Sequence, residues 1–151
     1  MPTVLEPQWL VPLIVLACLA GVAVLARIAG WSSLAVKLRA QGVPAGESLR
    51  FVTGSLGSLN FPIRYKNCLR LVLNDEGFYL SLMYPFKFAS PALFVPWAQV
   101  ESCAVKQIFS TQIASFRFRG QWSGLELRGV ACQLSREAHQ RYLASHHARA
   151  A

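Results

Sequence analysis

Seven carboxylates, three imidazoles and four thiols are the groups in this 151-residue chain that can do acid–base, nucleophilic or metal chemistry. Such work needs partners that converge. Here Asp75 and Glu76 fall in a turn motif, Glu126 is expected opposite Arg117, and Glu6, Glu47, Glu101 and Glu137 are scattered. His139, His146 and His147 all lie in or beyond a C-terminal helical segment. His139 and His146 can share a helix face, but two imidazoles do not make a metal site. Cys18, Cys68, Cys103 and Cys132 contain no Cys-x-x-Cys pair, and they read as small buried hydrophobes of a reducing compartment. The expectation is therefore no enzyme, no metal and no cofactor.

Binding chemistry is better represented. Lys and Arg number 15 against seven acids, giving a net charge of +8 and an isoelectric point near 9.9, so anionic surfaces are the natural partners. The basic residues are dispersed and form no recognised nucleic-acid motif, which excludes nucleic acid as the expected partner. Lys37, Arg39, Arg50, Arg64 and Lys66 are the candidates for contact with an anionic lipid leaflet or a protein partner. Each basic residue close to such a surface contributes on the order of 1 kcal/mol. Solvated surface is the plain alternative.

The segment Tyr84-Pro-Phe-Lys-Phe-Ala-Ser-Pro91 adds Phe86, Lys87 and Phe88 to that list. A loop pinned by prolines can place aromatics at the headgroup level and a cation on phosphate. Equally, both rings can pack beneath the loop onto the sheet. Gly54-Ser-Leu-Gly-Ser58 can cradle a phosphate with backbone amides, or form a plain inter-strand loop. It lacks the Lys-Ser/Thr of a nucleotide loop.

Two kinds of element must position these residues. The first is apolar: Trp9 to Ala26 carries no charged side chain, and charged residues make up only 15 % of the chain. Measured from Trp9 to Trp31, a helix is about 33 Å long, close to a bilayer's hydrocarbon thickness. The expectation is a transmembrane helix over 9–31, with Trp9 and Trp31 at the two interfaces. Ala17 and Gly21 form a small-residue pair for helix–helix contact. A cleaved signal peptide needs a positive N-terminal region, which Met1 to Gln8 lacks. Basic residues follow the helix and none precedes it. The positive-inside rule thus predicts a single-pass inner-membrane protein, N-terminus outside and the remainder cytoplasmic.

The second kind is β. Leu69, Leu71 and Leu73 alternate with polar or outward residues, Asn74 to Gly77 is a turn, and Phe78, Leu80 and Leu82 alternate again. Opposing Leu73 with Phe78, Leu71 with Leu80 and Leu69 with Leu82 puts both apolar rows on one face. A second hairpin opposes Phe118 with Leu125 and Phe116 with Leu127, placing Arg117 opposite Glu126. Short strands are expected at 49–53, 61–66, 92–97 and 99–105, with Pro96 at an edge or bulge. Ser135 is expected to cap a helix over 136–144.

The run Leu71-Val-Leu-Asn-Asp-Glu-Gly-Phe-Tyr-Leu80, followed by Leu93-Phe-Val-Pro-Trp-Ala-Gln-Val100, resembles a bacterial pleckstrin-homology-like domain of the GRAM-like kind. The resemblance covers residues 49–143. The chain is also similar to small proteobacterial inner-membrane proteins that carry one helix before such a domain. The resemblance implies a bent antiparallel sheet closed by a C-terminal helix. It supplies no binding residues, because the family's phosphoinositide-binding positions have no counterpart here.

The expected fold is thus α+β. A transmembrane helix precedes a mostly antiparallel PH-like bent sheet or barrel of about seven strands, which ends in a helix. The expected segments are an extracytoplasmic 1–8, the span 9–31, a juxtamembrane helix and linker over 32–48, the β domain over 49–145 and a tail over 146–151. The expected function is a non-enzymatic module binding the lipid bilayer's anionic leaflet, a membrane-protein partner, or both. Homo-oligomerisation stays open. The alternative is an accessory or assembly subunit that joins a larger membrane complex through its helix.

Overall fold

The computed structural model describes residues 7–28, 31–58, 61–84, 86–120 and 123–150. Helices α1 (Pro7–Ile28) and α2 (Trp31–Leu38) come first. Seven strands follow: β1 (Glu47–Ser58), β2 (Phe61–Leu73), β3 (Gly77–Leu82), β4 (Leu93–Pro96), β5 (Val100–Ile108), β6 (Thr111–Phe118) and β7 (Ser123–Arg128). Helix α3 (Val130–Ala150) ends the chain. The strands form one antiparallel sheet in the order β4-β3-β2-β1-β7-β6-β5, curled into a half-barrel.

The expected transmembrane span does not hold. Among the described residues, no helix is long and apolar enough to cross a membrane. α1 is described over Pro7–Ile28 and α2 over Trp31–Leu38. Trp31 is 0 % exposed, so it cannot stand at a lipid interface. Its indole Nε1 donates to the Pro91 carbonyl at 2.7 Å, and its ring meets Tyr65 edge-on at 5.7 Å. With the span go the single-pass inner-membrane placement and the topology derived from basic residues.

α2 belongs to the β domain's core. Leu34 and Ala35 are buried with Trp31, Arg39 bridges Leu93, and Ala40 N donates to Ala92 O at 2.9 Å. The segment expected as a juxtamembrane helix and linker therefore docks beside β4. The space exists because β3 pairs with only the second half of β2, from Leu69 to Leu73.

The first hairpin has the expected register: Leu73 opposes Phe78, Leu71 opposes Leu80 and Leu69 opposes Leu82. Asn74 Oδ1 accepts from the amides of Glu76 at 3.1 Å and Gly77 at 2.8 Å, which closes the turn. A Cβ at Gly77 would strike the Val95 carbonyl, so this position admits only glycine. The second hairpin is slipped by two residues. Phe116 opposes Leu125, Ala114 opposes Leu127, and Arg117 faces Gly124. A slip of two keeps the same rows inward, so alternation alone does not distinguish the registers. Glu126 faces Ser115 and accepts from the Ser55 hydroxyl at 3.0 Å.

Gly54 to Ser58, expected as a loop, is the second half of the continuous strand β1. It runs between β2 and β7. A Cβ at Gly54 would lie 2.6 Å from the Glu126 carbonyl oxygen, so glycine here permits close packing of strands and no turn. The terminal helix starts at Val130. Ser135 is buried inside it and donates back to the Ala131 carbonyl at 2.6 Å. Glycine at position 129, with φ +67°, makes the corner. Pro96 sits in β4, one edge of the sheet, where its missing amide is harmless. β5 forms the other edge.

The core centres on Phe78, Trp97, Phe116 and Phe118, with Phe78 to Trp97 at 5.4 Å. α3 closes one side through Ala131, Cys132 and Ala138. Replacing Trp31 with Ala removes a fully buried indole and its hydrogen bond. A loss of about 3–5 kcal/mol in chemical unfolding is expected; a loss under about 1 kcal/mol shows that α2 is not part of the cooperative unit.

Candidate functional site

The sequence-predicted contact residues do not gather on one face. Trp9, Ala17 and Gly21 lie on α1, whose apolar side chains are exposed from Trp9 to Leu19. Lys37 and Arg39 are exposed on and just after α2. Arg64 and Lys66 are exposed on the first half of β2. Phe86 and Lys87 are exposed in the 3₁₀ turn Phe86–Ala89, whereas the side chain of Phe88 lies outside the described residues. Lys87 Nζ stands 5.5 Å over the Tyr84 ring. α1 lies beside α2 and this 3₁₀ turn. Because Met83 N donates to Cys68 O at 2.8 Å, the turn projects at the end of β2 that carries Lys66 and Arg64. Arg50 is elsewhere.

Arg50 belongs to the sharpest irregularity in the sheet. β1–β2 pairing jumps from Leu49↔Leu71 to Val52↔Leu69, then to Gly54↔Tyr65. Extra residues sit first in β1 and then in β2. Phe51 and Asn67 absorb them in left-handed backbone, with φ of 58° and 54°. For a residue bearing a Cβ that conformation costs roughly 1–2 kcal/mol. Asn tolerates it, and Asn67 is tied to Thr53, whose hydroxyl donates to Oδ1 at 2.8 Å. The Phe51 ring is 66 % exposed.

Beside these bulges β1 runs past the end of β7, which stops at Arg128. Their ladder ends at Gly54↔Leu127, while β1 extends back to Glu47. A cavity of about 430 Å³ opens there, between the β1 bulge, Thr111 and the β7–α3 corner. Arg50 and Arg128 line it, with Phe51, Asn67 and Val130. Above it the β5–β6 hairpin overhangs β7, whose pairing with β6 reaches only Ile113↔Arg128. At the hairpin tip Phe109 is 97 % exposed with φ 55°. The sequence reading missed Phe51, Phe109, Arg128 and Val130. Alternation carries no mark of a bulge, and the overhang depends on where β7 ends.

The groups that could do covalent chemistry are held apart. His139 packs on Trp97 at 5.4 Å and Phe116 at 6.5 Å, whereas His146 packs on Tyr142 at 4.4 Å. Burial pushes up the thiols of Cys68, Cys103 and Cys132, which makes them poor nucleophiles. Burial, with Cys68 adding a smaller effect, pushes Tyr65 up to about 12. Among the described residues, no three of His, Cys, Asp and Glu are placed to hold a metal ion. Comparison with protein-family models, curated proteins and solved structures found no match.

Two predictions follow from these environments. Phe109→Gly removes left-handed strain at no cost in packing. It is expected to leave stability equal or up to about 1 kcal/mol higher by urea unfolding, and a clear loss shows that the ring packs. Burial holds the His139 imidazole below its ordinary value of 6.5, so the unfolded chain binds the proton more readily. Its contribution is complete above pH 6.5 and is lost as pH falls from there toward the folded value. Melting temperature should fall as the pH is lowered through 6.5, and less steeply in His139→Phe. Identical slopes refute the assignment.

Proposed function

We propose that the chain is a non-enzymatic, pleckstrin-homology-like binding module that docks on an anionic lipid surface. The observation carrying this reading is the exposed end built from Tyr84, Phe86 and Lys87, beside the apolar side chains of α1. Aromatic rings at the headgroup level and a cation on lipid phosphate form one contact. Lys66 and Arg64 extend its positive charge along β2. The order of strands and the closing helix support the pleckstrin-homology-like likeness.

A second reading rests on α1 itself. Large apolar side chains stand exposed along it from Trp9 to Val24, and a helix apolar all round normally has cover. In that reading the chain is an accessory subunit whose α1 packs against a partner protein.

Sedimentation of the full chain with vesicles separates the two. Binding to vesicles containing phosphatidylglycerol should exceed binding to pure phosphatidylcholine. Lys66→Gln with Lys87→Gln should weaken it at least about tenfold, from roughly 1 kcal/mol per cation. Equal binding to both vesicle types at moderate salt removes the lipid reading. Migration as a larger complex on native electrophoresis, abolished by Leu13→Gln with Leu16→Gln, then favours the subunit.

A further inference from the structure

We infer that the cavity between β1 and β7 is a binding site for a small amphiphilic anion, with one carboxylate or phosphate head and a short apolar body. The site is separate from the lipid-facing end proposed above. Arg50 and Arg128 are the charged residues among those described that line it, so two guanidinium groups stand there and no carboxylate lines the cavity with them. Guanidinium favours carboxylate and phosphate, whose paired oxygens accept from its fork of donors. Thr53, Asn67 and Thr111 add polar groups at the same wall.

The remaining lining is apolar. Leu49, Val52, Val130 and Ala131 carry no polar side-chain atom, and Phe51 turns its ring outward beside them. A volume of about 430 Å³ falls in the range of small-ligand sites. The cavity is also a built feature of the fold. It lies where β7 has ended at Arg128 and β1 runs on past it through its bulge, and that bulge holds Phe51 in a backbone conformation that a phenylalanine adopts at a cost.

The test is calorimetric titration of the full chain with octanoate, octyl phosphate and the uncharged octanol. At least one anion is expected to saturate a single site in the low-millimolar range or tighter, about tenfold or more above octanol. The two anions distinguish a carboxylate from a phosphate ligand. Arg50→Gln with Arg128→Gln should lose about tenfold, whereas Arg117→Gln with Arg119→Gln, away from the cavity, should not. Val130→Trp, which fills the mouth and leaves both arginines in place, should also abolish binding and guards against a misfolded arginine variant. Equal affinity for octanol, or full affinity in either the double-arginine or the Val130→Trp variant, overturns the site. So does failure of both anions to saturate. Vesicle binding that survives these variants leaves the lipid-facing reading untouched.

Discussion

β2 is 13 residues long and its neighbour β3 is six, and that mismatch governs how the half-barrel is finished. Where β3 runs out, the inner row of β2 at Tyr65 would face water. Trp31 fills the gap, and its indole N–H finds a carbonyl at Pro91. A buried indole without that acceptor would carry an unsatisfied donor costing about 1–3 kcal/mol. The short helix around Trp31 is therefore held by two sheet-facing demands at once, one apolar and one polar. The loop from Met83 to Ala92 is tied down by the same contact.

That role for Trp31 also takes it away from any membrane interface. A tryptophan at each end of a greasy run matches an aromatic belt in composition, but the same residue serves a protein core equally well. Pattern reading of 9–31 had no means of telling the two apart, because the partners of Trp31 at Tyr65 and Pro91 lie 34 and 60 positions downstream. α1 is left with its apolar residues outward, which makes it a surface in need of cover.

Much of the sheet was legible because alternation has a period of two. The Asn74–Gly77 turn fixed the first hairpin through a side chain that caps its own loop. The second hairpin lacked such a marker, and a slip of two preserved every inward row. Gly54 read as a loop signal although it serves strand proximity, and Ser135 read as a cap although its hydroxyl bonds one turn back within the helix. The candidate site was least legible. Arg50 was picked for its charge, but the left-handed backbone of Phe51 follows from the register shifts between β1 and β2, and the opening beside it from where β7 ends.

The two margins of the curled sheet are guarded differently. β4 is four residues long and ends in a proline, so it offers little to a further strand. β5 is nine residues long and mostly exposed, the kind of open margin that invites a neighbouring chain to add itself. It carries Glu101 and Lys106 and begins with a register break between Val100 and Ser102. Charge and a local kink disrupt the flat ladder that stacking copies would require. A long hairpin can then overhang the domain without turning it into a template for fibrils.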